Sequence, residues 1–186
     1  TQSSKGNFKS ASTNSSQRGS GKEYSRELSH KLKIAKGAKM HVFRSSIIDE
    51  EINLVWNAVR NFDSVVQWNP GIVSAELETG SPTGCGAIRK LVTGDGAIFR
   101  ETLVAHSDVE YLYSYDILIS PLPIINYIST HRFYPITHTR QTLSVWEGRF
   151  SCDPKHSHEM KKTIGDAIYI NGMIGLNNFL KESKND

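Results

Sequence analysis

The chain has 186 residues, 38% of them hydrophobic, and a formal net charge of +3 at pH 7. That supports one globular domain with a tail, and the longest apolar runs, such as Ile117-Leu118-Ile119, are far too short to span a bilayer. Two cysteines, Cys85 and Cys152, form no disulfide framework and fit no zinc spacing, so a soluble intracellular protein is expected, cytoplasmic or organellar after removal of a transit segment.

Charge divides the chain. Residues 1–46 carry ten Lys/Arg against two acids, a net +8, whereas residues 47–186 carry twelve against seventeen, a net −5. Residues 1–38 read as a basic low-complexity arm. Thr1 to about Gly21 is Ser, Thr, Gly, Asn, Gln and Lys with one aromatic, Phe8. Such a segment buries too little apolar surface to offset its ordering entropy, so disorder is expected. A short basic helix is predicted over 23–36, with Leu28, Leu32 and Ala35 near one face. Three readings of the arm stay open: a plain tail, a transit-peptide remnant, or a segment that contacts an anionic surface. Without an RNA-binding signature, no specific nucleic-acid partner is expected.

The domain proper is read as 39–182. Met40 to Ser46 alternates as a first strand. Ile48-Asp49-Glu50-Glu51 is read as a helix start with Asp49 as N-cap, and Ile52, Val55, Trp56 and Val59 then recur at helical spacing. A second short helix over Phe62–Trp68 stops at Asn69-Pro70. Strands follow over 72–78, 87–93, 97–106, 110–120, 127–136 and 139–152, with Gly94-Asp95-Gly96 as a hairpin turn and Pro121-Leu122-Pro123 as a break. A long helix from about His158 to Lys181 closes the chain, with Met160, Ile164, Ile168, Leu176 and Phe179 near one face. The pattern predicts an α+β domain whose antiparallel sheet wraps the last helix. Gly165, Gly172 and Gly175 each cost that helix about 1 kcal/mol. They signal either close packing or room for a ligand, and the inward polar groups favour the second.

Those polar groups follow from strand parity. Arg89 shares a face with Ala87 and Leu91; Glu101 shares one with Phe99 and Leu103. Tyr113, Tyr115 and Ile117 fall together, as do Tyr127, His131 and Phe133, and Trp146 with Phe150. A guanidinium and a carboxylate on an apolar face must pair or meet a wet cavity. If they serve a site, Arg89 anchors a ligand oxyanion, Glu101 moves a proton, and the tyrosines orient the ligand. Otherwise the cluster only satisfies itself. Cys152, His156 and His158 lack a fourth metal ligand of matching spacing, and no metal or cofactor is expected. Gly84-Cys85-Gly86 leads into a strand, which excludes a dinucleotide fingerprint.

The run Trp68-x-Pro70, Gly84-x-Gly86-x-x-Arg89, Asp95-Gly96, Arg100-Glu101-x-Leu103, Tyr113-x-Tyr115, Pro121-Leu122-Pro123 with Tyr127, and Trp146-x-x-x-Phe150 resembles the polyketide cyclase/dehydrase branch of the START-like helix-grip superfamily (SRPBCC). The resemblance implies a seven-stranded antiparallel sheet around a C-terminal helix over an apolar cavity. Within that branch the chain is similar to the plant lachrymatory factor synthases, whose catalytic arginine and glutamate align with Arg89 and Glu101 and whose pocket tyrosine aligns with Tyr127. It departs from them in having Ala97-Ile98-Phe99-Arg100 where they carry an acidic run before the glutamate. The expectation is a protein that holds a small hydrophobic oxygen-bearing molecule and cyclises, dehydrates or isomerises it by proton transfer. Glu101 and Arg89 are its catalytic pair, and Trp68, Phe99, Tyr113, Tyr115, Tyr127, His131 and Trp146 line its site. A non-catalytic carrier and a fold reused as a subunit of a larger complex are the alternatives.

Overall fold

Period-2 alternation and short turns leave the backbone one way to satisfy its hydrogen bonds, a meander of neighbouring strands. A computed structural model of the chain describes residues 23–29, 32 and 37–184. The stretch expected to be disordered lies outside those residues. Of the helix expected over 23–36, residues 23–29 and 32 are helical and the remainder lies outside.

Seven strands form one antiparallel sheet: β1 (Ala38–Ile48), β2 (Ile72–Thr79), β3 (Ile88–Thr93), β4 (Ile98–Ser107), β5 (Leu112–Ile119), β6 (Ile124–Ile136) and β7 (Gln141–Cys152). Their spatial order is β1-β7-β6-β5-β4-β3-β2. The last six strands therefore run consecutively, and β1 closes on the final one. Two short helices, α1 (Ile52–Val59) and α2 (Val65–Trp68), carry the chain from one sheet edge to the other. A 3-10 turn (Pro154–His156) leads into the C-terminal helix, made of α3 (Ser157–Lys162), a π-helical stretch (Thr163–Ile170) and α4 (Asn171–Glu182). The sheet grips this helix, as the alternation and the resemblance predict.

The core lies between them. Val42 and Ile48 of β1, Leu103 of β4, Phe133 of β6 and Phe150 of β7 are buried on the inner face, against Ile164, Tyr169, Met173 and Leu176 of the helix. Burying each such side chain contributes roughly 1.5–3 kcal/mol. The buried helix positions run Met160, Ile164, Tyr169, Met173, Leu176, Leu180, with one step of five. Winding of the i→i+5 type is what returns Tyr169 to the face that Ile164 occupies.

The structure corrects three local expectations. β1 continues to Ile48, and α1 begins only at Ile52, so Asp49 does not cap it. Asp49 is instead tied to the C-terminal helix and β7: its N–H donates to Asn177 Oδ1 (3.0 Å), Gln141 donates to its carboxylate (2.8 Å), and Lys181 pairs with it (2.7 Å). The second helix is shorter than predicted because Phe62-Asp63-Ser64 is a turn. The glycines of the last helix do not make room for a ligand. A Cβ on Gly172 would stand 2.8 Å from the Trp146 ring, one on Gly165 would meet the Arg44 guanidinium, and one on Gly175 would meet Trp68 and Pro70. They are the price of close approach between helix and sheet.

Candidate functional site

The β3–β4 hairpin builds the site. Thr93 N–H donates to the Ala97 carbonyl (3.0 Å), Gly96 N–H returns to Thr93 (2.8 Å), and Gly96 adopts φ +83°, which its missing side chain permits. This turn sets the register that places Arg89 directly opposite Glu101. Both point inward, with side chains only 4% and 7% exposed. Arg89 Nε and Nη2 both donate to Glu101 Oε2, at 2.7 and 2.6 Å. Its Nη1 donates to the Phe62 carbonyl, and the guanidinium lies 3.8 Å over the Phe62 ring and 5.2 Å from the Tyr115 ring. All three guanidinium nitrogens are committed. Among the described residues none donates to Glu101 Oε1.

In front of this pair lies a cavity of about 400 Å³, within the range of small-molecule sites. Glu101, Phe99, Tyr115 and Tyr127 form part of its wall, with Ile117 and Leu91 between them. The π-helical stretch supplies the opposite wall through Ile164 and Ile168, and Asp95 of the hairpin and Leu122 of the β5–β6 break stand at its rim. Arg89 is behind Glu101 and off the wall. Burial lifts the Glu101 carboxyl above the usual carboxylate range, outweighing the pull of the Arg89 charge and hydrogen bonds, while Asp116 pushes it further up. A buried carboxyl lifted in this way exchanges protons nearer neutrality than a free one does.

Four of the anticipated ligand contacts, Trp68, Tyr113, His131 and Trp146, are placed elsewhere, in a packed aromatic column. The Tyr169 ring stacks on Trp146 (4.7 Å, 9°), Trp146 on His131 (4.3 Å, 7°), and His131 abuts Phe133 at 4.2 Å. Trp68 flanks His131 and Trp146, and Tyr113 stands edge-on to His131. His131 is fully buried, with Nε2 2.8 Å from Ser144 Oγ, and burial pushes its pKa down to about 3. It is a neutral ring.

The two regions meet at Tyr127 and Tyr169. Ser129 donates its single proton to the Glu147 carbonyl (2.9 Å), so Tyr169, 3.0 Å away, donates to Ser129. Tyr127, 2.6 Å from the Tyr169 hydroxyl, must in turn donate to Tyr169. Burial holds both phenols protonated, that of Tyr169 pushed up to about 12. The Tyr127 proton thus points away from the cavity.

Strand parity alone did not reveal Tyr169, Phe62 or Asp95. A Gly-flanked Asp in a hairpin that leads to inward Arg and Glu is a signal for Asp95. Tyr169 is hidden because an α-helical period puts it off the apolar face.

An open antiparallel sheet that grips a C-terminal helix over an apolar cavity with one buried carboxylate defines a ligand-binding helix-grip domain. The chain belongs to the polyketide cyclase / dehydrase and lipid transport family, whose model matches residues 40–169. Among solved structures it is similar to an uncharacterised protein of Bacillus thuringiensis (28% identity, TM-score 0.69, covering 76% of this chain and 99% of that one). It is also similar to the protein XoxI of Bacillus cereus (28% identity, TM-score 0.68, covering 77% and 97%). A norcoclaurine synthase point mutant of Thalictrum flavum, in complex with a transition-state analogue, shares the fold at 13% identity (TM-score 0.64, covering 80% and 98%). No curated protein matches the chain. Family membership supports a ligand-binding role. Among the described residues no helix is long and apolar enough to cross a membrane, and no group of three or more His, Cys, Asp or Glu could hold a metal ion.

Proposed function

We propose that the chain binds a small, mostly apolar molecule in the cavity and that Glu101 transfers a proton on it, in a cyclisation, dehydration or isomerisation. One observation carries this reading: the buried Glu101 carboxylate, on the cavity wall, has Oε2 held by Arg89 and, among the described residues, no donor to Oε1. Arg89 acts through Glu101 as a positioning residue, fixing the carboxylate and moderating the lift that burial imposes on it. Tyr115, on the cavity wall and kept protonated by burial, donates a hydrogen bond to oxygen charge that develops on the ligand. Tyr127 and Phe99 shape the wall. Incubated with a small-molecule extract, the protein is expected to convert a compound that the Glu101→Gln variant binds but leaves unchanged, as read by mass spectrometry. Equal conversion by both proteins would remove Glu101 from the chemistry.

A carrier reading has its own support in the aliphatic wall of Ile72, Leu91, Ile117, Ile164 and Ile168. A compound retained unchanged by parent and variant alike would assign that role.

A further inference from the structure

The polar groups on the cavity wall are unequal in kind. The two charged side chains among the described wall residues are Asp95, at the rim, and Glu101, at depth; no Lys, Arg or His is among them. The arginine nearest to Glu101 cannot swing forward, since Nε and Nη2 are bound to Glu101, Nη1 to Phe62, and the guanidinium is held over the Phe62 ring. Tyr127 is an acceptor towards the cavity, because its proton is committed along the Tyr169–Ser129–Glu147 chain. At the rim, Thr93 places its hydroxyl against Asp95 and the Ala97 carbonyl, within hydrogen-bond reach of both. What the wall shows a ligand is chiefly lone pairs: Glu101 Oε1, Tyr127 Oη and the Asp95 carboxylate. Tyr115 and the Thr163 hydroxyl are the neutral donors among the wall residues not already committed, and neutral hydroxyls do not compensate a desolvated anion beside a carboxylate.

We propose that the cavity selects an uncharged or cationic apolar molecule that presents an N–H or O–H donor to Glu101, and that it rejects carboxylates and other anions of the same size. This rests on the binding reading above and narrows its ligand class. Selectivity of this kind needs no extra attraction to the favoured ligand. An unpaired like charge against the wrong one is enough. It also turns the Arg89–Glu101 pair away from anion capture: the pair shows its negative end to the ligand, and the guanidinium serves the protein.

Four ligands with one skeleton test it: methylnaphthalene, naphthalenemethanol, naphthalenemethylamine and naphthoate, titrated into the full chain by calorimetry. The alcohol and the amine are expected to bind at least about tenfold more tightly than naphthoate. In Glu101→Gln the amine should lose affinity while naphthoate gains it, with the alcohol little changed; Asp95→Asn should shift the amine and naphthoate in the same directions by less. Thermal melting of each variant checks its fold, and the parent series decides the matter if Glu101→Gln does not fold. Naphthoate binding as tightly as the alcohol, while methylnaphthalene also binds, would overturn the charge selection and leave the binding site standing. Failure of all four ligands to bind would overturn the binding reading itself, and this inference with it.

Discussion

At the β6–β7 end of the sheet, Tyr169, Trp146, His131 and Phe133 lie ring on ring, and glycines at 148 and 172 let helix and strand close upon them. At the β3–β4 end, the same inward parity delivers Arg89, Glu101 and Phe99 to a face where about 400 Å³ stays open. One half satisfies every inward polar group with a protein partner. In the other, a carboxylate oxygen is left for something else. The contrast teaches that an inward polar residue becomes a site residue only where the opposing helix withholds its side chains. Here that happens along the π-helical stretch, whose Tyr169 turns into the column while Ile164 and Ile168 bound the cavity.

The largest effect expected to break this contrast is at the buried pair. Arg89→Ala strands the Glu101 charge and should cost about 3–5 kcal/mol of stability in urea unfolding at neutral pH. That loss should shrink on acidification, as Glu101 takes up a proton.

Acid should then separate the halves by sign. His131 has a folded pKa of about 3 against 6.5 when free, so the unfolded chain binds the extra proton between those values. Stability from the column is complete above pH 6.5 and falls by up to roughly 1.4 kcal/mol per pH unit below it. Glu101 is shifted upward, so its contribution runs the other way, present below its usual value and lost as pH rises through the folded one. Denaturation of the parent, His131→Phe and Glu101→Gln across pH should show the acid slope removed in the first variant and steepened in the second.

A smaller effect is expected at Gly148, where a Cβ would collide with the hydroxyl of the fully buried Tyr169. Gly148→Ala should cost about 1–3 kcal/mol by overpacking. Tyr127→Phe, at the seam of the halves, removes the hydrogen bond to Tyr169 and should cost about 1 kcal/mol. Smallest in stability is Ala167→Leu at the exposed rim of the cavity, within about 0.5 kcal/mol of the parent by thermal melting, yet with weaker binding of naphthalenemethanol in calorimetry. Enlarging a side chain is thus harmful in the column and tolerated at the cavity.

The alternation in the sequence was enough to place Arg89, Glu101, Tyr115 and Tyr127 on the inner face, because parity depends only on neighbouring residues. It could not tell cavity from column: His131 and Trp146 obey the same parity as Tyr127, and only the distance to the helix separates them. Nor could it foresee the irregularities. A register shift between Leu103 and Ala105 turns His106 inward opposite Tyr113, beside the Trp56 ring at 5.3 Å. The π winding does the same for Tyr169. Asp49 had the composition of an N-cap, but Gln141, Asn177 and Lys181 are long-range partners that no local pattern announces.

If Glu101 moves a proton on the molecule that occupies the cavity, solvent hydrogen passes through its carboxyl to that molecule. The most direct test of this transfer is to incubate parent and Glu101→Gln proteins with the extract in deuterated water and weigh the recovered compounds by mass spectrometry. A compound should gain solvent deuterium with the parent and none with the variant. Equal deuterium in both would contradict it.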